Sequence, residues 1–247
     1  MKEKLNSILR KFGAEIHGTG YLQSLQKTEF KKDSFSVQQE LLQGQKIETI
    51  FDLGANRGDI VSRYRTEFPH ATIYAFEPFP GSFDQLKQRF NPDKKVFCNQ
   101  VAVGENKATL PFYVNKNVDT NSLLKPAKIG LSSDTGVANE SVIEVPCIKL
   151  DDFCEEQNIS RIDILKMDIQ GGEFSALRGA GKLLSNKSIK LIYLEVYYRE
   201  QYVNQPLFHD ISKLLHEFGY YLQDIYHPIY GKGSMAWSDV IFLPFTN

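Results

Sequence analysis

The chain predicts an α/β fold built on a doubly wound, mostly parallel sheet. Three observations carry that expectation. From residue 46 onward, short apolar runs alternate with stretches of helical periodicity. The first run leads into a glycine-rich turn, Asp52-Leu53-Gly54-Ala55-Asn56-Arg57-Gly58, and the next run is closed by an acid, Glu77, nineteen residues beyond Gly58. Strands that alternate with helices need both faces of their sheet covered, and ligands of such sheets gather beyond the carboxyl ends of the strands.

Each element follows from its pattern. Leu5, Ile8, Leu9 and Phe12 recur at helical spacing among Lys2, Lys4, Arg10 and Lys11, so Met1–Phe12 reads as a basic amphipathic helix. Such a helix suits packing against the domain, and it also suits peripheral contact with a membrane surface. Gln38–Leu42 reads as part of a second helix. Together residues 1–46 are expected to form an N-terminal helical cap, with residues 47–247 as the α/β domain. Ile47–Leu53 is the first strand. The helix after the glycine turn carries Ile60, Val61, Tyr64 and Phe68 on one face and stops at Pro69. Thr72–Phe76 is the second strand, and Phe79, Phe83, Leu86 and Phe90 mark the next helix. Lys95–Cys98 is the third strand.

Two further strand-like runs, Ala108–Val114 and Ser141–Leu150, flank a polar, aperiodic stretch from Asn115 to Glu140. We expect residues 105–150 to be an insertion whose loop caps the site, because a loop of that length in a compact domain usually has a function. Ile162–Asp168 is the fourth main strand and Gly172–Leu184 a helix. Ile189–Val196 is the fifth strand. Leu207, Phe208, Ile211, Leu214, Leu215 and Phe218 form the clearest amphipathic helix, ended by Gly219. Tyr220–Tyr226 and Ala236–Leu243 are the last strands, expected to pair with an antiparallel final strand.

Composition narrows the class. At 42% hydrophobic and 24% charged, the 247 residues suit a globular chain. A net charge of −1 argues against a nucleic-acid partner held by counterion release. The three cysteines, Cys98, Cys147 and Cys154, form no C-x-x-C pair, which suits a reducing cytoplasm. No apolar run reaches the ~18 residues of a membrane span.

The topology places Gly54–Gly58, Glu77–Phe79, Asn99–Ala102, Asp168–Gly172 and Glu195–Tyr198 along one rim. Two adenosine cofactors suit such a rim. A nicotinamide dinucleotide needs Gly-x-Gly-x-x-Gly beside its pyrophosphate. Here only Gly54 and Gly58 remain, and Asp52 would repel the phosphates. S-adenosylmethionine carries a sulfonium and an amino group, for which Asp52 is welcome, and it is therefore the favoured cofactor. Gly54, Ala55 and Gly58 let the backbone approach it, and Asn56 reaches its carboxylate end. Glu77, followed by Pro78, accepts both ribose hydroxyls, while Gln100 and Val101 face the adenine edge.

With those residues in place, the chain resembles the FkbM family of S-adenosylmethionine-dependent methyltransferases. The resemblance runs from about Ile47 to Phe242. It rests on Phe51–Gly58, on Ala75-Phe76-Glu77-Pro78, on Asn99–Gly104, on Lys149-Leu150-Asp151-Asp152 and above all on Leu165-Lys166-Met167-Asp168-Ile169-Gln170-Gly171-Gly172-Glu173. Asn121-Ser122-Leu123 is similar to a segment of the family's insertion. The resemblance implies a class I, Rossmann-like fold and O-methylation of a hydroxyl, often on a sugar, glycan or polyketide. Gly172 stands where family members more often carry a larger residue, which could widen the cofactor pocket or loosen the helix start.

An alcohol needs a base or a metal to become a nucleophile. Asp168 and Glu195 end their strands at the rim, so either could take the proton, or both could hold a divalent ion. Asp168 also belongs with the candidate cofactor residues. Lys166, two residues from Asp168, could pair with it or act as a base once desolvated. His227, placed in a loop before the last strand, is a weaker base, and Glu173 reads as structural at a helix start. Tyr197 and Tyr198 are the tyrosines expected near the acceptor. The alternatives are an N or C nucleophile on a small molecule, or a cofactor-binding module without catalysis.

Overall fold

The computed structural model describes residues 33–128, 137–231 and 233–245. The amphipathic Met1–Phe12 lies outside the described residues. Contacts divide the chain into Met1–Gln43 and Gly44–Asn247. The described part of the first unit is one helix, α1 (Ser34–Leu41), whose N-terminus is capped by the Asp33 carboxylate accepting from the Ser36 N–H at 3.1 Å.

The second unit carries a seven-stranded sheet in the order β3-β2-β1-β7-β8-β10-β9. Its members are β1 (Thr49–Leu53), β2 (Thr72–Phe76), β3 (Val96–Asn99), β7 (Ile162–Met167), β8 (Ile189–Tyr197), β9 (Tyr220–Gly231) and β10 (Ser234–Pro244). All neighbours pair in parallel except β10, which runs against both β8 and β9. The order reverses between β1 and β7, and the crevice above that point is where ligands of open α/β sheets bind. A smaller sheet, β4 (Ala102–Val103), β6 (Asn139–Ile148) and β5 (Ala108–Asn115), forms the insertion. It begins earlier than residue 105, because Ala102 and Val103 pair with Cys147 and Ile148.

β7 is buried at every position, as a central parallel strand must be. Alternation divides its side chains between two layers. Leu165 and Met167 join Phe51, Leu53, Ile192 and Leu194 in a core covered by the later helices. Those helices are α5 (Glu173–Arg178), α6 (Gly181–Ser185) and α7 (Phe208–Glu217), the last burying Ile211 and Leu215. Burying each such aliphatic side chain contributes about 1.5–3 kcal/mol. On the other side α2 (Asp59–Glu67) buries Val61 and Tyr64, and α3 (Pro80–Phe90) buries Phe83, Leu86 and Phe90.

The structure corrects the sequence reading at two places. The helix expected over 172–184 is broken. Gly179 lies so close to Gly104 that an added Cβ would fall 2.1 Å from the Gly104 carbonyl oxygen. The Asp151 carboxylate, at the start of α4 (Leu150–Glu156), then accepts from the N–H groups of Lys182 and Leu183 at 2.9 and 3.1 Å. That carboxylate caps a new helix start, so the chain begins α6 afresh. His227 is not in a loop. It lies within β9 at φ +47° beside a register shift against β10, and its ring Nδ1 meets the Asp239 carboxylate at 3.0 Å.

The cysteines are free, with Cys147 and Cys154 buried. Burial pushes the Cys154 thiol up to about 12. Among the described residues no helix is long and apolar enough to cross a membrane.

Candidate active site

β1 hands directly into the glycine turn. Gly54 takes φ +75°, and a Cβ there would lie 1.9 Å from the Asp168 carbonyl oxygen, so only glycine fits. The N–H groups of Gly54 and Ala55 both donate to the Phe76 carbonyl at 3.0 Å, which ties the turn to the end of β2. There Glu77 turns back over the turn. Its Oε2 accepts from the Asn56 N–H at 2.9 Å and its Oε1 from the Phe79 N–H at 2.8 Å. The side chain is almost enclosed, and that desolvation outweighs the two amide bonds and pushes its pKa up to about 7.

A cavity of about 250 Å³ opens beside Glu77, between the turn, Pro78, Val101–Val103, Asp168–Gln170 and the insertion. Gly54, Ala55, Asn56, Glu77, Pro78, Val101 and Asp168 line it. The Asn56 amide is at the same time held by Asp119 Oδ1 at 2.7 Å and by the Ser82 hydroxyl at 2.8 Å. Three other residues expected at the cofactor are placed elsewhere. Asp52 has no exposed surface and lies below the cavity floor, where Lys166 Nζ pairs with its Oδ1 at 2.9 Å. Gly58, at φ +87°, gives room to Phe90 and Leu86 of α3 instead of to a ligand. Gln100 is exposed and outside the cavity, because its strand-end neighbour Val101 is the one turned inward.

Lys166 departs from its expected roles. It lines the cavity, but its ammonium pairs with Asp52 and donates to the Gly54 carbonyl at 3.2 Å, so its close partner is not Asp168. Burial opposes its charge, yet the carboxylates of Asp52 and Asp168 outweigh burial and hold its pKa above the ordinary lysine value. A lysine base needs the opposite shift. Lys166 neutralises the buried Asp52 and fixes the turn.

The far wall of the cavity is a network of side chains. Gln170, at φ +55°, reaches across from the loop after β7. Its Nε2 donates to Asp168 Oδ1 at 3.0 Å and to Glu195 Oε2 at 3.1 Å. Its Oε1 accepts from the hydroxyls of Tyr197 at 3.0 Å and Tyr202 at 2.8 Å. Burial, then repulsion from Asp168, raises the Glu195 pKa well above the usual carboxylate range. Between Asp168 and Glu195, where a divalent ion was one expectation, the structure places that amide nitrogen. Among the described residues no group of three or more His, Cys, Asp or Glu is arranged to hold a metal. Glu173 is wholly buried and accepts from the Ile169 N–H at 2.9 Å, which closes the loop; burial pushes it up to about 7. Gly172 widens nothing, since it is not in the cavity wall and a Cβ there would face Ile169.

Consecutive strand residues face opposite sides, so Tyr197 and Tyr198 cannot share the acceptor. Tyr197 faces Gln170, whereas Tyr198 packs on Phe208 of α7 with ring centres 5.3 Å apart and meets the Ser238 hydroxyl. The insertion closes the cavity through a 3₁₀ turn, Val118–Thr120. Asp119 accepts from Asn56 and from Arg57 Nη2 at 3.3 Å, and the buried Ser122 hydroxyl donates to the Gln170 carbonyl at 2.7 Å. Val118, Asp119, Asn121 and Leu123 line the cavity. The described part of the 115–140 stretch therefore stands over the site, with residues 129–136 outside the described set.

Known proteins carry the same pattern. The sequence profile of the methyltransferase FkbM domain matches residues 52–222, well over half of the chain. The chain belongs to the FkbM methyltransferase family. It is 27% identical over 175 residues to the 2-O-methyltransferase NoeI of Sinorhizobium fredii, covering 68% of this chain and 71% of that protein. It is 23% identical over 158 residues to the hexuronic acid methyltransferase AglP of Haloferax volcanii, covering 64% of this chain and 59% of that one. An rRNA methylase structure from Streptococcus thermophilus superposes with a TM-score of 0.48 at 10% identity, covering 89% of this chain and all of that one. This FkbM protein is thus an S-adenosylmethionine-dependent methyltransferase with the class I, Rossmann-like fold.

The residues present in the FkbM cavity fit that cofactor. Each Glu77 oxygen is held by one backbone amide and keeps a lone pair toward the cavity, which matches a vicinal pair of hydroxyls. Val101, Val103, Phe112 and Leu123 offer an apolar wall for a purine. Gln170, Tyr202 and Asp119 were missed as site residues. Gln170 stood in the most diagnostic motif, and a glutamine before Gly-Gly at a strand end was the available signal. For Asp119 the aperiodic loop gave only a place, and for Tyr202 nothing local marked it.

Proposed function

We propose that this methyltransferase transfers the methyl group of S-adenosylmethionine to a hydroxyl of a sugar, glycan or similar polyol, with Asp168 as the base. The observation that carries this reading is that Asp168 and Glu77 line one cavity, at the ends of strands on either side of β1. S-adenosylmethionine supplies an electrophilic methyl on a sulfonium. Glu77 would accept its ribose hydroxyls, Gly54 and Ala55 would give it room, and Val101 would face its adenine. Asp168 would accept a hydrogen bond from the acceptor hydroxyl, align its oxygen with the methyl, and take the proton as the oxygen–carbon bond forms and the carbon–sulfur bond breaks, with S-adenosylhomocysteine as the leaving group. Alignment of that kind contributes on the order of 7–11 kcal/mol in favourable cases, and a positioned base about 10²–10⁴-fold. Glu195 lies behind Gln170 with its pKa raised by burial, which suits a neutral partner better than the resting base. The names of NoeI and AglP support a carbohydrate acceptor.

The test is incubation with methyl-labelled S-adenosylmethionine and a panel of neutral glycosides, uronides, amines and activated-carbon acceptors. Label released as a base-stable methyl ether on a glycoside or uronide is the expected product. Label found only on nitrogen or carbon, or on none of the panel, overturns the reading.

A further inference from the structure

Gln170 is held as few loop glutamines are. A glutamine at φ +55° gives up roughly 1 kcal/mol against an ordinary conformation. What it gains is full use of its amide. An amide has two N–H donors and two acceptor lone pairs. The donors go to Asp168 and Glu195, and the acceptor oxygen faces the hydroxyls of Tyr197 and Tyr202, all within 2.8–3.1 Å, with Gln201 Nε2 further off at 3.5 Å; the single Tyr202 proton is shared with the Thr120 carbonyl, also at 2.8 Å. Asp168, read as the ionised base, also fixes which way the amide points, since an ionised carboxylate only accepts. Its backbone carbonyl is engaged as well, by the buried Ser122 of the insertion.

We infer that Gln170 is the positioning residue of the reaction: its amide holds the Asp168 carboxylate at the cavity and acts as a neutral spacer between Asp168 and Glu195. The inference rests on the reading of Asp168 as the base. The charged and titratable groups acting on this pair are known from every neighbouring element. Asp168 feels Lys166 on its own strand, Asp52 of β1, Glu173 of α5, and Glu195, Tyr197 and Tyr202. Glu195 additionally feels Asp239 of β10. Acids outnumber the one cation in this set, and that cation is already paired with Asp52. Without the amide, two carboxyl groups would face each other across the gap it fills. Two carboxyl groups that close share one proton, so Asp168 would carry it part of the time at a pH where the native enzyme leaves it on Glu195.

The experiment is the pH dependence of kcat/KM for the glycoside methylated by the wild type, compared with Gln170→Met, which keeps length and removes both donors. The expected result is a fall in kcat of at least about tenfold, an acid limb moved to higher pH by about one unit, and a Kd for S-adenosylmethionine within about twofold of native. The double variant Gln170→Met/Glu195→Gln should bring the limb back, because it removes the carboxyl group that shares the proton. An acid limb left in place, or a double variant that does not restore it, overturns the inference. Should Gln170→Met fail to fold, Gln170→Asn serves in its place, since asparagine tolerates the left-handed conformation but is one methylene too short to span the acids. A wild type that methylates no glycoside would overturn the assignment of function instead, and the two failures are distinguishable.

Discussion

At the end of β2, Glu77 is oriented by the backbone N–H groups of Asn56 and Phe79. At the end of β7, Asp168 is oriented through Gln170 by side chains of β8 and of the turn after it. One acid is held by main chain close at hand, the other by a network of side chains from segments some thirty residues apart. The first arrangement needs only a glycine turn and a strand end at the right distance. The second needs five side chains of the correct kind to arrive together. The cofactor half of the site should therefore tolerate substitution around it, whereas the acceptor half should fail whenever one member is lost.

The sharpest break in this comparison is Asp168→Asn. It keeps the bond geometry near Gln170 but removes the proposed base, so kcat should fall by about 10²–10⁴-fold. A Kd for S-adenosylmethionine within about threefold of native, by calorimetry, would separate the base role from a cofactor role. A Kd that rises tenfold or more would assign Asp168 to the cofactor half instead.

Lys166→Met tests the floor shared by both halves. It strands the Asp52 carboxylate in a site with no exposed surface, and should cost about 3–5 kcal/mol in a denaturant titration. A cost below about 1 kcal/mol would mean that Asp52 simply takes up a proton without penalty.

Glu77→Ala should raise the Kd for S-adenosylmethionine by more than about tenfold, since charge-assisted hydrogen bonds contribute about 1.5–3 kcal/mol each. The pH dependence sharpens this. Glu77 titrates near 7 in the folded protein, against 4.5 for an ordinary glutamate. Cofactor affinity should rise with pH through about 7 as the carboxylate forms, and Glu77→Gln should abolish that rise. Stability runs the other way. Between pH 4.5 and about 7 the folded state holds protons at Glu77 and Glu173 that the unfolded chain has released, so stability falls as pH rises across that window.

The smallest effect is expected at Gln100. Exposed and outside the cavity, it should be replaceable by alanine with a change in stability within about 0.5 kcal/mol and a Kd within twofold. A larger loss of cofactor affinity would put Gln100 back at the adenine.

The same contrast explains what was legible in the sequence. Thr72–Phe76 is found as read, and the central strands within a residue or two, because burial on both faces leaves clear apolar signals; β9, mostly exposed, runs five residues beyond the expected Tyr226. The glycine turn and Glu77 were legible because local spacing fixes them. The hold on the Asn56 amide was hidden, because its partner Asp119 sits in an aperiodic loop 63 residues away. The break between α5 and α6 was hidden for a similar reason, since Asp151 supplies the cap from another helix. Tyr197 and Tyr198 show the limit of composition: side by side, they stand on opposite faces. His227 looked like loop because Pro228 follows it, yet the strand carries both through an irregular register.

The contact between Gly54 and the carbonyl of Asp168 has a bearing on how such an enzyme could change its acceptor. Two neighbouring main chains touch there with no side chain between them, so the span from the glycine turn to Asp168 is set by the spacing of a parallel sheet. A new substrate cannot be accommodated by stretching that span. It must be accommodated by reshaping the roof, at positions such as Val118 and Leu123 that line the cavity without bonding to Gln170 or Asn56.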